Sequence, residues 1–319
     1  MTLWLISDVD VEFDSFRYRK PLKIGKENPG LTQGLPLLLE FFHKHGIRAT
    51  LHMQEQADPE LSIAEKYPKL YDIIDDYSQE VSLHVHVRGG DYWERREEIG
   101  AGYNRLKERG YDVRSFRAGW YFTNENTVKV LEELGIEFDA SPLKGITVGN
   151  KKFYDIPDSP YHPSYEDITH IGDAKILIIP VTDIRLGIGI HRSDRRENVL
   201  IEKGINMLAN KAHEANAPVI VYFTTHSWKP LSPEGKIRGW EVKRREHFMR
   251  CLSKHEYRTL TVSEAGKLWK KRKYKPYFLN LPHNALKIHP RYSFRRYDLF
   301  NRYIISNLNI LRYTLFGEI

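Results

Sequence analysis

Short apolar runs recur along the chain, each closing on polar residues, and helix-length stretches separate them. Residues 3–7 (Leu-Trp-Leu-Ile-Ser) form such a run and lead into acids, the pattern of a buried strand. Further strands are predicted over 47–53, 113–118, 136–140, 174–181, 218–224 and 259–262. Residues 80–87 alternate with period two, which reads as a strand with one polar face. Helices are predicted over 35–45, closed by Gly46, and over 67–79 and 94–109, the latter ending at Gly110. Others are expected over 123–134, capped by Thr123 or Asn124 and ending at Gly135, and over 195–215 and 240–255. Strands alternating with helices imply βαβ units and a mostly parallel sheet. About seven units fit, enough for a barrel, whether closed or incomplete. Polar residues crowd the C-terminal ends of the strands, where parallel α/β folds place their chemistry. Residues 144–173 lack periodicity and read as a long functional loop or insertion.

Composition narrows the class. The chain has 319 residues, 41% of them hydrophobic and 29% charged, an ordinary globular balance. One cysteine excludes a cystine framework and favours a reducing compartment. The first eight residues lack a basic n-region and reach Asp8, so no signal peptide is expected there. No apolar window suits a transmembrane helix. The expected location is therefore the cytoplasm, with a membrane-peripheral position as an option. The formal charge of +7 is not spread evenly. Residues 270–319 hold eleven Lys/Arg against two Asp/Glu, an excess of +9, which leaves residues 1–269 at −2. Two parts follow: a nearly neutral body over 1–269 and a basic, aromatic extension over 270–319.

Four polar clusters stand at strand ends. Ser7-Asp8-Val9-Asp10-Val11-Glu12 follows the first strand, and carboxylates two apart can converge on one site. His84-Val85-His86 places two imidazoles on one face of an extended strand, and a carboxylate from elsewhere would complete a facial metal site. Arg117 ends another strand before Ala118-Gly119-Trp120-Tyr121, and a buried guanidinium needs a carboxylate partner. His226 follows the strand at 218–224, beside Trp228. Each cluster has a packing explanation on its own; their joint appearance at four strand ends does not.

Together these motifs resemble the NodB-homology polysaccharide deacetylases, carbohydrate esterase family 4. Asp8 and Asp10 match the paired acids of the first motif, in an Asp-x-Asp form. Glu80-Val81-Ser82-Leu83-His84 matches the run before the metal-binding histidines. Arg117-Ala118-Gly119-Trp120-Tyr121 matches the third motif, Leu134-Gly135-Ile136-Glu137-Phe138-Asp139 the run closing the next helix, and His226 the last motif. The resemblance spans residue 3 to about 265. It implies a distorted (β/α)7-type barrel of the NodB-homology/glycoside hydrolase-deacetylase kind, with a basic C-terminal extension.

The implied reaction is hydrolysis of an N-acetyl group from a sugar, assisted by a divalent metal, zinc first. By this resemblance Asp10, His84 and His86 hold the metal and Asp8 is the general base. Arg117 orients Asp8, and His226 is the general acid for the leaving amine. Trp120, Tyr121 and Trp228 offer faces on which sugar rings can stack. A backbone N–H beyond Arg117, or the metal, would stabilise the oxyanion.

Two departures from the family pattern stand out. Its histidines are usually four apart, whereas here the fourth residue after His84 is Arg88 and after His86 is Gly90. An Asp near a Trp has only Asp183 as a match. The partner expected is an N-acetylated sugar or glycan precursor, in glycan or surface-polysaccharide metabolism. The alternatives are an allantoinase-like hydrolase of a small amide or ureide, and a catalytically degenerate deacetylase fold that binds glycan. The basic tail could touch anionic membrane or pack on the barrel. No nucleic-acid partner is expected.

Overall fold

The computed structural model describes residues 2–13, 28–87, 91–148, 151–181, 195–215, 217–231, 235–279 and 286–288. Arg88, Gly90, Asp183 and most of the basic tail lie outside them.

In chain order the strands are β1 Leu3–Val11, β2 Thr50–Gln54, β3 Glu80–Val85, β4 Ser115–Ala118, β5 Phe138–Asp139, β6 Ile146–Val148, β7 Lys151–Lys152, β8 Leu177–Ile178, β9 Val219–His226, β10 Tyr257–Leu260 and β11 Leu286–Ile288. The helices are α1 Leu35–Lys44, α2 Ile63–Lys66, α3 Leu70–Asp76, α4 Tyr92–Glu108, α5 Glu125–Glu133, α6 Arg195–Ala215, α7 Gly239–Leu252 and α8 Val262–Arg272. The main sheet runs β9-β1-β2-β3-β4-β5-β8, every pair parallel, and β10 flanks the first half of β1. Helices between strands pack on its outer side, as parallel connections require. The result is a curled α/β barrel with a seam between β8 and β9, where no ladder forms among the described residues. The Tyr222 hydroxyl of β9 crosses that seam and donates to the Ile179 carbonyl at 3.2 Å.

Alternation along β1 divides the residues between two environments. Leu3, Leu5, Val9 and Val11 are buried in the main core, whereas Asp8, Asp10 and Glu12 share the opposite face. The strand is longer than the apolar run 3–7, because Val9 and Val11 keep its outer face hydrophobic through Val11. Asn124 is the cap of α5, in a reciprocal capping box with Thr127. Residues 144–173 form the hairpin β6–β7 and a packed excursion that buries Phe153, Ile156, Tyr161 and Ile168.

Helix α8 crosses position 270. Thr261 caps it and Glu264 completes the box. Beyond it, Tyr274 meets Trp4 edge-to-face and Trp269 at a tilt. The Tyr277 hydroxyl donates to Pro218 O at 2.8 Å, and Leu279 N donates to Asp158 Oδ2 at 2.8 Å. The packed body thus includes this strap, and β11 adds a parallel strand to β6.

Candidate active site

Strand register brings the sequence-predicted residues to one end of the barrel. Asp10 lies level with His226 on β9 and with His52 on β2. His84 lies level with Gln54 on β2 and Arg117 on β4. All stand at or near the C-terminal ends of their strands.

Glu12, one residue past β1, closes on the histidine pair. His86 Nε2 is 3.0 Å from Glu12 Oε2, His84 Nε2 is 3.6 Å from the same oxygen, and the two Nε2 atoms are 2.9 Å apart. Ligands about 2.1 Å from a common metal lie at roughly these separations, so the set fits a facial two-His, one-carboxylate site. Among the described residues, these three alone form a group of His, Cys, Asp and Glu atoms mutually within 4.8 Å. The donor chemistry agrees. His84 Nδ1 is 3.0 Å from the Arg117 carbonyl, which only an N–H can approach, so Nε2 presents its lone pair. Burial lowers the pKa of His86 against the pull of Glu12, which favours the neutral, ligating ring. Burial alone would raise Glu12; the charge of His226 and the close approach of the His226, His84 and His86 rings outweigh it and hold the carboxyl well below its usual range.

Glu12 uses its other oxygen as well. Trp228 Nε1 donates to Oε1 at 3.3 Å, and His226 Nδ1 stands 2.9 Å from the same atom at an angle short of a hydrogen bond. The His226 ring stacks on Trp228 with centroids 4.8 Å apart. Trp120 sets its ring edge-to-face with His86 at 4.7 Å. Tyr121 follows it in the same turn, half-buried. Two of the three aromatic residues expected to meet sugar therefore also brace groups of the site.

Asp8 and Asp10 lie deeper along the same face. Arg117 Nη2 pairs with Asp8 Oδ2, and its Nε is 3.6 Å from Asp10 Oδ1. Asp10 Oδ2 is 3.8 Å from His226 Nδ1. Burial would raise Asp10, but Arg117, His84, His226 and His52 together lower it. Burial opposes the charge on Arg117, yet Asp8 and Asp10 hold the guanidinium more firmly protonated than usual. Asp8 and Asp10 share the one guanidinium and Glu12 lies beyond it, so the three buried carboxylates exceed what Arg117 offsets, an excess that a divalent cation would reduce. Asp8 Oδ1, Asp10 Oδ1 and His52 Nε2 are buried without a hydrogen-bond partner, so polar capacity remains beside the histidine pair.

Two residues were not anticipated as participants. In the sequence Glu12 ends an acidic cluster; the continuing alternation Asp8-x-Asp10-x-Glu12 is the signal that places it with the histidines. His52 sits in an otherwise ordinary strand, and only its two-residue spacing from Thr50 and Gln54 marks an inward face.

No protein-family model matches the chain, and no curated protein matches it. Solved structures do. A Mycobacterium smegmatis protein assigned as a polysaccharide deacetylase aligns over 88% of this chain and 95% of its own, with TM-score 0.61 and 17% identity. A family 4 carbohydrate esterase from Streptomyces lividans, solved with acetate, aligns over 81% of this chain and 90% of its own, with TM-score 0.43 and 12% identity. The first likeness carries the comparison, and with the parallel curled sheet it shows that this chain has the NodB-homology fold of the polysaccharide deacetylases.

Proposed function

We propose that the protein is a metal-dependent hydrolase that removes an N-acetyl group from a sugar, in a glycan or surface-polysaccharide precursor. The observation that carries this reading is the Glu12–His84–His86 group at the C-terminal end of a deacetylase-type barrel. Glu12, His84 and His86 would hold a divalent cation, zinc first for this nitrogen-rich set, which would supply Lewis-acid chemistry to an amide carbonyl and to a water.

The chain's own residues supply the rest. His84 and His86 direct their Nε2 atoms, and Glu12 its Oε2, to one point. Asp10 is better placed than Asp8 to take the water proton: it stands next along the face from Glu12, and its Oδ1 lacks a hydrogen bond. Asp8 is fully buried against Arg117 and holds that guanidinium beside Asp10. His226 is the most open of these side chains, 33% exposed, and with Nδ1 against Glu12 it has Nε2 to offer the leaving amine. Trp120, Tyr121 and Trp228 give sugar rings a surface to stack on.

The test is acetate release from an N-acetylated oligosaccharide by metal-loaded protein. Asp10→Asn should lose about 100-fold or more in turnover while keeping its metal, the size expected of a general base. Glu12→Gln and His84→Ala should lose the metal itself. Full turnover in Asp10→Asn would remove the base from this account; a folded wild type that takes up no metal would remove the account.

A further inference from the structure

Beneath the histidine pair lies an imidazole that none of the roles above employs. His52 on β2 is completely buried. Its Nδ1 is 2.8 Å from Ser82 Oγ on β3, and its Nε2 faces Asp8 Oδ2 on β1 across 3.6 Å. One ring therefore spans three adjacent strands. Asp8 Oδ2 lies between this ring and Arg117 Nη2, and Arg117 Nε continues to Asp10.

We propose that His52 is a positioning residue: through Asp8 and Arg117 it sets the placement of the Asp10 carboxylate. The inference rests on the reading of Asp10 given above. The chemistry of the contacts fixes the tautomer. The Ser82 hydroxyl donates to Nδ1, and Nε2 carries the proton whose dipole points at the Asp8 carboxylate. At 3.6 Å this is a charge–dipole contact and not a direct hydrogen bond. It bears on the same oxygen that Arg117 holds, from the opposite side; without it the carboxylate would be held from the Arg117 side alone. A space-filling role would be served by leucine; an imidazole kept in a fully enclosed position must be hydrogen-bonded to be tolerated, and Ser82 meets that need on one side only. His52 is sealed from the barrel mouth, so it works through its neighbours and not on substrate.

The experiment has two arms. In the kinetic arm, His52→Leu should lower kcat about 10- to 100-fold, the range seen when a residue supporting a site is lost. KM should stay within about twofold, and metal content should not change. His52→Gln, which keeps a donor and an acceptor, should recover most of the loss. Adding His52→Leu to Asp8→Asn should cost little further, since both act on one chain of contacts. Wild-type kcat in His52→Leu, or a loss that Gln does not recover and that adds in full to Asp8→Asn, overturns the proposal.

In the second arm, nitrogen NMR of the labelled histidines reads the ring directly. His52 should carry its proton on Nε2, and Ser82→Ala and Asp8→Asn should each shift its resonances. An Nδ1 proton, or no response to Asp8→Asn, overturns the proposal whatever the activity. A wild type that releases no acetate counts against the deacetylase reading, while the NMR arm still decides the contact.

Discussion

At Gly119 the absence of a side chain decides where His86 can sit. A Cβ built there would overlap the His86 imidazole. The next two residues hold left-handed backbone, Trp120 at φ 53° and Tyr121 at φ 63°, although neither is glycine. Such residues cost on the order of 1–3 kcal/mol each and persist where surrounding structure enforces them. Here the turn delivers the Trp120 ring onto His86. Gly119→Ala should therefore displace His86 and weaken metal binding by about 10- to 100-fold. Titration against a competing chelator measures it, and an unchanged affinity would show that the ring has room to move. The sequence made His84, His86, Arg117 and His226 visible because each closes a recognisable strand. Glu12 was harder to see, since its role depends on β1 staying extended for four residues past its apolar run.

Among the elements, strands bounded by turn residues were legible and the helix that begins at Val262 was not. Residues 259–262, Thr-Leu-Thr-Val, look extended throughout; Thr259 and Leu260 do end β10, but Thr261 and Glu264 form a capping box that starts α8 at Val262. Local propensity gave way to packing, because α8 buries Val262, Ala265 and Trp269 against the barrel. The excursion at 144–173 was legible only as irregular, because its order comes from distant partners. Inside it, Lys144 Nζ and Asp158 Oδ2 form a buried pair at 2.6 Å, and the distant Leu279 N donates to the same oxygen. Removing one member of a buried pair costs about 3–5 kcal/mol. Lys144→Met should destabilise the protein by that amount in denaturant unfolding, and Lys144→Met with Asp158→Asn should recover part of it. A loss below about 1 kcal/mol for Lys144→Met would mean that the pair does not anchor the excursion.

For the whole molecule, the barrel interior is polar where its exterior is apolar, and that has a pH signature. Burial, reinforced by the charge of Arg117, lowers the pKa of His52 from 6.5. The unfolded chain then takes up this proton before the folded one, so the contribution of His52 is complete above pH 6.5 and falls away below it. Asp10 and Glu12, held below 3.8 and 4.5, add stability at neutral pH that disappears only as the pH falls through their lowered values. Glu55 and Asp139, raised by burial, act in the opposite sense and favour the fold at lower pH. The melting temperature of metal-free protein should begin to drop as the pH is taken below 6.5, and the drop should be shallower in His52→Gln. Equal slopes in the two proteins would remove His52 from this balance. No helix among the described residues is long and apolar enough to cross a membrane.

The pairing of β1 also bears on the order in which the protein assembles. The strand carrying Asp8 and Asp10 and leading to Glu12 is matched along its length by residues 219–226, and its first half by residues 257–260. Closing such distant contacts is slow, because loop entropy must be lost before any pairing rewards it. A nascent chain that has emerged only as far as β8 can form β1 through β5 and still leave one side of β1 bare. The acids of the site are then present but unhoused, and the centre is completed when the late strands arrive.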